Sequence, residues 1–314
     1  MQQPSQPARP AGVAAWAALL VVWVVWGSTY LAIRVADRTI PPFEMAAVRY
    51  LIAGCLLYPV AWLGTRRRPR PTGPGGPGTL AQWAGMAVVG TMLLAVGNGG
   101  VSYAERTLPS GLAALLVASV PLWMALADRV LNGRRLRPAG WAALVTGLTG
   151  IAVLAQPHGR GTLLPVLVVL VGAMSWGIGS VLAGRLPAPG SPLLGSAMEM
   201  LAGGVVLVVF ATVAGESAPA HPSTESLLAV VYLIGPGSLL AMTCYVIALR
   251  RLPTAAVSTY AYVNPVVAVS LGALLLGERP TLATLLGGAV VVASVAILLI
   301  NRAGSPPPAR TQRE

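Results

Sequence analysis

The chain has 314 residues, of which 55% are hydrophobic and only 10% charged, with a formal net charge of +12. A soluble domain carries about 25% charged residues, so this composition, with a mean hydropathy of +0.74, excludes one and identifies an integral membrane protein. The positive charge does not argue for nucleic acid, because it sits on arginines in short loops between apolar runs, the pattern that orients membrane proteins.

In chain order, apolar runs define ten spans at 13–33, 42–63, 80–102, 109–131, 138–155, 163–184, 191–214, 226–249, 254–277 and 281–301. About 20 apolar residues suffice to cross about 30 Å of hydrocarbon as a helix. The residues before the first span are polar and proline-rich, without a cleavage pattern, so that span reads as retained and not as a signal peptide. Within it Trp16, Trp23, Trp26 and Tyr30 recur at helical spacing and share a face. Trp16 fits the interface belt. Trp26 and Tyr30 lie deeper, where they either line a cavity or pack beside Gly27.

The second span carries Arg49, seven residues after Pro42. Cys55 there and Cys244 in the eighth span lack ligand-like neighbours and read as small core residues. Arg66–Thr79, RRRPRPTGPGGPGT, reads as a flexible linker. Asn98, within Gly97-Asn98-Gly99-Gly100, is a polar group in a flexible backbone, and Gly235-Pro236-Gly237 disturbs the eighth span in a similar way. Each is either a hinge or a close helix contact. Gly140, Gly147, Gly150, Gly287 and Gly288 read as helix-packing positions. Pro121 and Pro265 stand within the fourth and ninth spans. Proline removes a backbone donor and blocks the carbonyl four residues earlier, here that of Ala261 for Pro265. With Tyr260, Tyr262 and Asn264 just ahead of it, the ninth span is expected to break at mid-depth, which is tolerated only inside protein or beside water. Tyr260 and Asn264, four apart, are expected to face a substrate path.

The chain repeats itself. At an offset of 144, Pro109 falls on Pro253, Pro121 on Pro265, Arg106 on Arg250 and Gly133 on Gly277. At an offset of 150, Trp26-Gly27 falls on Trp176-Gly177, Pro42 on Pro192, Gly54 on Gly204 and Arg49 on Glu199. The expected organisation is a tail over 1–12, a first repeat over 13–155, a second over 163–301 and a tail over 302–314. Five spans per repeat is an odd number, so the two are inverted, a common plan of secondary transporters with a site near the midplane.

Loop arginines divide unequally. Fifteen fall on one side (Arg9, Arg66, Arg67, Arg68, Arg70, Arg129, Arg134, Arg135, Arg137, Arg185, Arg250, Arg251, Arg302, Arg310, Arg313) and five on the other (Arg34, Arg38, Arg106, Arg160, Arg279). The richer side is expected to be cytoplasmic, with both termini there. Arg49 and Glu199 are the clear intramembrane charges; each costs at least about 2.5–3.5 kcal/mol to insert and so needs a reason. Substrate or proton binding is one, a bond to a neighbouring helix the other. His158 and His221 fall in loops, and no H-E-x-x-H, G-x-S-x-G or Walker loop occurs. No catalytic residue and no metal ligand is therefore assigned, and an intramembrane enzyme is the weaker reading.

Taken in order, Trp26-Gly27-Ser28-Thr29-Tyr30, Pro41-Pro42 with Arg49-Tyr50 and Ala53-Gly54, Pro109-Ser110-Gly111 leading to Pro121-Leu122, Ser175-Trp176-Gly177, Glu199-Met200-Leu201-Ala202-Gly203-Gly204, and Tyr262-Val263-Asn264-Pro265-Val266 resemble the EamA-type permeases of the drug/metabolite transporter superfamily. The resemblance runs over nearly all of 13–301. It departs after the fourth span, where the family has Leu-x-Glu, as in Leu276-Gly277-Glu278, but this chain has Asn132-Gly133-Arg134. The resemblance implies an all-α integral membrane fold of ten helices in two inverted five-helix repeats, a central cavity, alternating access and no cofactor. It implies a bacterial inner-membrane exporter of a small metabolite, amino acid-like or amphipathic and drug-like, with a lipid-linked carrier or flippase as the alternative on the same fold. The expected partners are a small-molecule substrate, the lipid bilayer, a proton as coupling ion and a second copy of the chain. Candidate substrate-binding residues are Trp26, Tyr30, Asn98, Trp176, Tyr260 and Asn264, with Arg49 and Glu199 as candidate charge or coupling residues and Pro121 and Pro265 as candidate gating breaks.

Overall fold

A computed structural model of the chain describes residues 12–66, 78–134, 136–155 and 163–303. Most of the linker expected at Arg66–Thr79, the two tails, His158 and Arg160 lie outside the described residues. Those described are helical, without a strand. Eight segments are long and apolar enough to cross a membrane, and Pro138–Leu154 and Tyr260–Leu276 are shorter apolar helices.

The first repeat consists of α1 (Val13–Ala36), α2 (Pro42–Arg66), a third span made of α3 (Leu80–Gly90), the π-helical segment π1 (Thr91–Asn98) and α4 (Gly99–Glu105), a fourth made of α5 (Ser110–Val117) and α6 (Val120–Asn132), and α7 (Pro138–Leu154). The second consists of α8 (Leu163–Ala183), α9 (Pro192–Val213), an eighth span made of α10 (Thr224–Ile234), π2 (Gly235–Leu240) and α11 (Ala241–Arg251), a ninth made of α12 (Thr254–Val257) and α13 (Tyr260–Leu276), and α14 (Leu282–Ala303). Local signals set the ends. Thr79 and Gln82 form a capping box on α3, and Ser191 and Ser223 cap α9 and α10. Gly133 and Gly277, equivalent at the offset of 144, end α6 and α13 with φ of 65° and 66°, a left-handed conformation that glycine adopts without a Cβ penalty.

Packing follows the duplication. α2 lies on α9 and α7 on α14, each helix on its own repeat equivalent. The contact of α1 with α11 is mirrored by α8 with α4, that of α1 with π2 by α8 with π1, and that of α1 with α13 by α8 with α6. Glycines make these approaches possible, and they too come in equivalent pairs. A Cβ on Gly54 would lie 2.8 Å from Leu201, and one on Gly204 would lie 2.8 Å from Leu51. A Cβ on Gly27 would lie 2.6 Å from Val267, and one on Gly177 would lie 2.6 Å from Trp123. Lipid tails are as apolar as leucine, so close backbone packing of this kind, and not hydrophobic burial, holds membrane helices together. Gly150 and Gly288 serve the same purpose, against Val291 and Leu115.

The fourth span is the most enclosed: 72% of its apolar window is buried, against 33–44% for the other long spans. Leu108, Leu112, Leu115, Leu116 and Leu122 join Val291, Val295 and Leu298 of α14 in one cluster. Elsewhere each span keeps an exposed apolar face, such as Leu20 and Val24 on α1 or Ile52 and Leu56 on α2, the face that meets lipid. Cys55 belongs to that exposed face and Cys244 is half-buried, so neither is the core residue its apolar surroundings suggested; on a lipid-facing helix both faces are apolar and sequence alone does not separate them.

The expected helix breaks also move. The fourth span is interrupted at Ala118 and Ser119, immediately before Pro121, which occupies the first turn of α6. The ninth is interrupted at Ser258 and Thr259, while Pro265 lies inside α13. Proline needs a break only if the displaced carbonyl cannot be accommodated, and π geometry, water or a side chain can absorb it.

Candidate functional site

Three aromatic rings meet where α1, α11 and α13 pack. Trp26 lies 5.2 Å from Tyr245 and 5.3 Å from Tyr260, and Tyr245 lies 5.8 Å from Tyr260. Edge-to-face and tilted arrangements of this kind are favoured by the ring quadrupoles. All three rings are half-buried. The interruption of the ninth span is tied to the same wall, because Trp23 Nε1 donates to Thr259 Oγ1 at 3.0 Å and Thr259 in turn donates to the Ala256 carbonyl. Asn264 is buried, and with its amide nitrogen turned inward it donates to the carbonyls of Tyr260 and Trp23, both at 3.2 Å. It thereby stitches α13 to α1 beside Pro265.

The sequence candidates thus separate. Trp26, Tyr260 and Asn264 come together, with Tyr245 as a member that periodicity did not single out. Trp176 stands apart on α8, where it packs over Gly97 of π1, next to Asn98. Tyr30 lies a turn beyond Trp26 on α1, beside the cluster of Tyr232 and Leu233.

Arg49 and Glu199 do not pair. Arg49 is buried, donates from Nε to Ser238 Oγ of π2 at 3.0 Å and holds its guanidinium 4.8 Å from the Tyr50 ring centroid. Ser238 passes the chain of bonds to the Leu233 carbonyl. Glu199 is half-buried, its backbone carbonyl lies against Gly90, the last residue before π1, and its side chain makes no hydrogen bond or ion pair among the described residues. Each charge therefore belongs to the helix that faces a π segment of the other repeat. The two π segments begin at equivalent positions, Thr91 and Gly235, 144 apart. Such segments mark functional sites disproportionately.

A second polar region lies at the arginine-poor end. A cavity of about 290 Å³ is lined by Arg34, Asp37, Arg38, Glu105, Arg106, Leu276 and Glu278. Here carboxylates of the second repeat close helix ends of the first. Glu278 accepts from the backbone N–H of Ser110 at 2.8 Å and of Gly111 at 3.2 Å, at the start of α5. Glu216 accepts from Glu44 at 2.9 Å and Phe43 at 3.4 Å, at the start of α2. A helix N-terminus offers unpaired donors and partial positive charge to an anion. Two further acids lack such partners: among the described residues neither carboxylate oxygen of Asp37 or of Glu105 has a hydrogen bond, and Glu105 is fully buried. Arg34 donates to the Glu105 backbone carbonyl instead. Burial pushes Asp37 up to about 8, with Glu216 adding to the shift and Arg106 and Arg34 opposing it. In the sequence Glu105 stands at the end of an apolar span and Asp37 in the loop after another, and no local spacing links the two.

At the arginine-rich end the arrangement differs. The position equivalent to Glu278 is Arg134, which pairs with Asp128 at 3.4 Å. Arg185, after α8, donates to Asn132 Oδ1 at 2.8 Å and to the Leu131 carbonyl.

The profile of the EamA-like transporter family matches residues 14–156 and again 163–300. The chain is 40% identical over 278 residues to an uncharacterized inner membrane transporter, YedA, of Escherichia coli (strain K12), covering 88% of this chain and 87% of that one. It is 24% identical over 253 residues to the protein PagO of Salmonella typhimurium, covering 78% and 79%. A solved crystal structure with 23% sequence identity superimposes with a TM-score of 0.59 over 93% of this chain and 99% of its own, a likeness of fold.

Proposed function

The chain belongs to the EamA-like transporter family, and on that premise we propose that it exports a small metabolite across the bacterial inner membrane by alternating access, with both termini cytoplasmic. The observation that carries this reading is the aromatic cluster of Trp26, Tyr245 and Tyr260 beside the interrupted ninth span. Non-helical backbone at membrane depth is tolerated next to a solute path, and half-buried aromatic rings with few polar groups suit an amphipathic or amino acid-like solute. Tyr260 and Asn264 would present polar groups to it, and Trp176 of the second repeat with Asn98 of the first would do so where α8 packs on π1. Glu199, with no partner among the described residues, is the candidate proton carrier, and Arg49 braces π2. A flippase on the same fold is the alternative.

The test is a comparison of metabolites in the culture medium of cells with and without overexpression. The compound that accumulates outside is then added to reconstituted vesicles. A soluble solute that saturates transport supports the exporter, and no enrichment of any soluble compound, with lipid-linked material redistributed instead, supports the flippase. For the carrier, Glu199→Gln is expected to keep solute exchange but lose its response to an imposed pH gradient; a full response in the variant removes Glu199 from that role.

A further inference from the structure

The arginine-poor cavity combines two features with no part in the aromatic path. Two helix ends at this side are closed between repeats, α5 by Glu278, which lines the cavity, and α2 by Glu216. Beside that closure stand two carboxylates whose four oxygens have no hydrogen-bond partner among the described residues, one of them on the fully buried Glu105, which lines the same cavity as Asp37. A buried, unpartnered carboxylate is costly as an anion. The neighbouring guanidiniums of Arg34, Arg38 and Arg106 disfavour a metal ion, while a proton adds little bulk and satisfies an oxygen at once.

We propose that Asp37 and Glu105 form a proton-binding site that opens to the arginine-poor side and holds the Glu216–Glu278 latch closed when occupied. The inference rests on the reading of the chain as an alternating-access transporter, but its chemistry is local. The groups that face the pair are Arg34 and Tyr30 of α1, Arg38 beyond it, Arg106 after α4, Glu278 after α13, Glu216 after α9 and, behind Glu216, Glu44 of α2. With the site empty of protons, Asp37 faces Glu216 and Glu105 faces Glu278 as like charges, and the repulsion is relieved by withdrawing the latch acids from their helix ends. With a proton bound, the repulsion falls and the caps persist. The sign follows: a carboxyl raised in the latched state binds its proton more tightly there, so latching is favoured at low pH and lost as pH rises through about 8. In an exporter, a proton taken from the outer phase would then close the outer end after solute release.

Ser110 reports the latch. Its side chain is fully buried behind Glu278 and its backbone N–H is one of the capped donors. In full-length protein in vesicles, with Cys55→Ser and Cys244→Ser, labelling of Ser110→Cys by an impermeant thiol reagent is measured from about pH 6 to about pH 9.5. Dividing by the rate for Ser217→Cys, in an exposed loop at the same end, corrects for thiolate chemistry. The ratio is expected to rise about five-fold or more across that range, to stay low in Asp37→Asn with Glu105→Gln, to be high at every pH in Glu278→Ala, and to keep its pH response in Glu199→Gln. A flat ratio in the parent, an unchanged response in the double variant, loss of the response in Glu199→Gln, or the same rise driven by sodium at fixed pH overturns the proposal. No solute is needed, so failure here leaves the transporter reading standing, and failure to find an exported solute leaves this result readable.

Discussion

At the scale of single residues, the two intramembrane charges show how differently one symmetric position can be used. Arg49 and Glu199 are equivalent by repeat, yet Arg49 is bonded to Ser238 and lies over Tyr50, while Glu199 has no partner among the described residues. Replacing Arg49 by Gln removes a buried charge-assisted bond, so a loss of about 1.5–3 kcal/mol is expected, read as a lowered unfolding temperature in detergent. Ser238→Ala leaves the guanidinium its contact with Tyr50 and should cost less. If Arg49→Gln melts like the parent, the bond to π2 is not what holds this charge in the membrane. Gly272 gives a second test. A Cβ there would run into the Glu278 carboxylate and lie 2.9 Å from Ser110 Oγ, so Gly272→Ala is expected to dislodge the cap on α5 and expose the N–H of Ser110 and Gly111 to faster hydrogen exchange. Unchanged protection at both amides would refute it. The acid in Leu276-Gly277-Glu278 was legible as a motif, but its partners were not, because they lie 168 and 167 residues away and no local spacing encodes such a contact.

At the scale of elements, the spans were read well because each is a long apolar run, and the third and eighth were read as disturbed because glycine and proline mark them. What glycine and proline do not encode is the geometry that results. The same signals gave a π turn at Thr91–Asn98 and Gly235–Leu240, where an extra residue per turn keeps the backbone bonded. They gave an outright break at 118–119, but in the ninth span the break falls at 258–259, well ahead of Pro265. The two prolines should therefore behave differently. Pro121 sits in the first turn of α6, where a missing N–H removes no intrahelical bond, so Pro121→Ala should leave transport within about two-fold of the parent. Pro265 lies inside α13, and Pro265→Ala supplies a donor that can bond the Ala261 carbonyl and straighten the helix against Trp23 and Asn264. Its transport of the solute identified from the medium should fall about ten-fold at normal expression. Equal effects of both variants would show that position within the helix is not what matters.

At the scale of the whole molecule, the repeat relation explains why a chain with equivalent halves has unequal ends. Exchange of the halves maps α2 on α9 and α7 on α14 onto themselves and pairs Gly54–Leu201 with Gly204–Leu51, so the packed interior is symmetric. The polar ends are not. Where the arginine-poor end carries Glu278 against α5, the other end carries Arg134, paired with Asp128. Composition could reveal the arginine bias but not the acids that answer it, since those are few and work only through helix ends brought near by folding. The bias makes a prediction about orientation. Arginine excess in short loops is retained on the cytoplasmic side, so Thr79, before α3, should face inward and Ser217, after α9, should face outward. Both are at ends of described helices, and Ser217 is exposed. In the background without Cys55 and Cys244, Thr79→Cys in intact cells should stay unlabelled by an impermeant thiol reagent and react only after permeabilisation, whereas Ser217→Cys should react at once. The opposite pattern would turn the molecule over, place Glu216 and Glu278 at the cytoplasmic end, and make the latch an inner gate; labelling of both from outside would contradict the odd number of spans that lies between them.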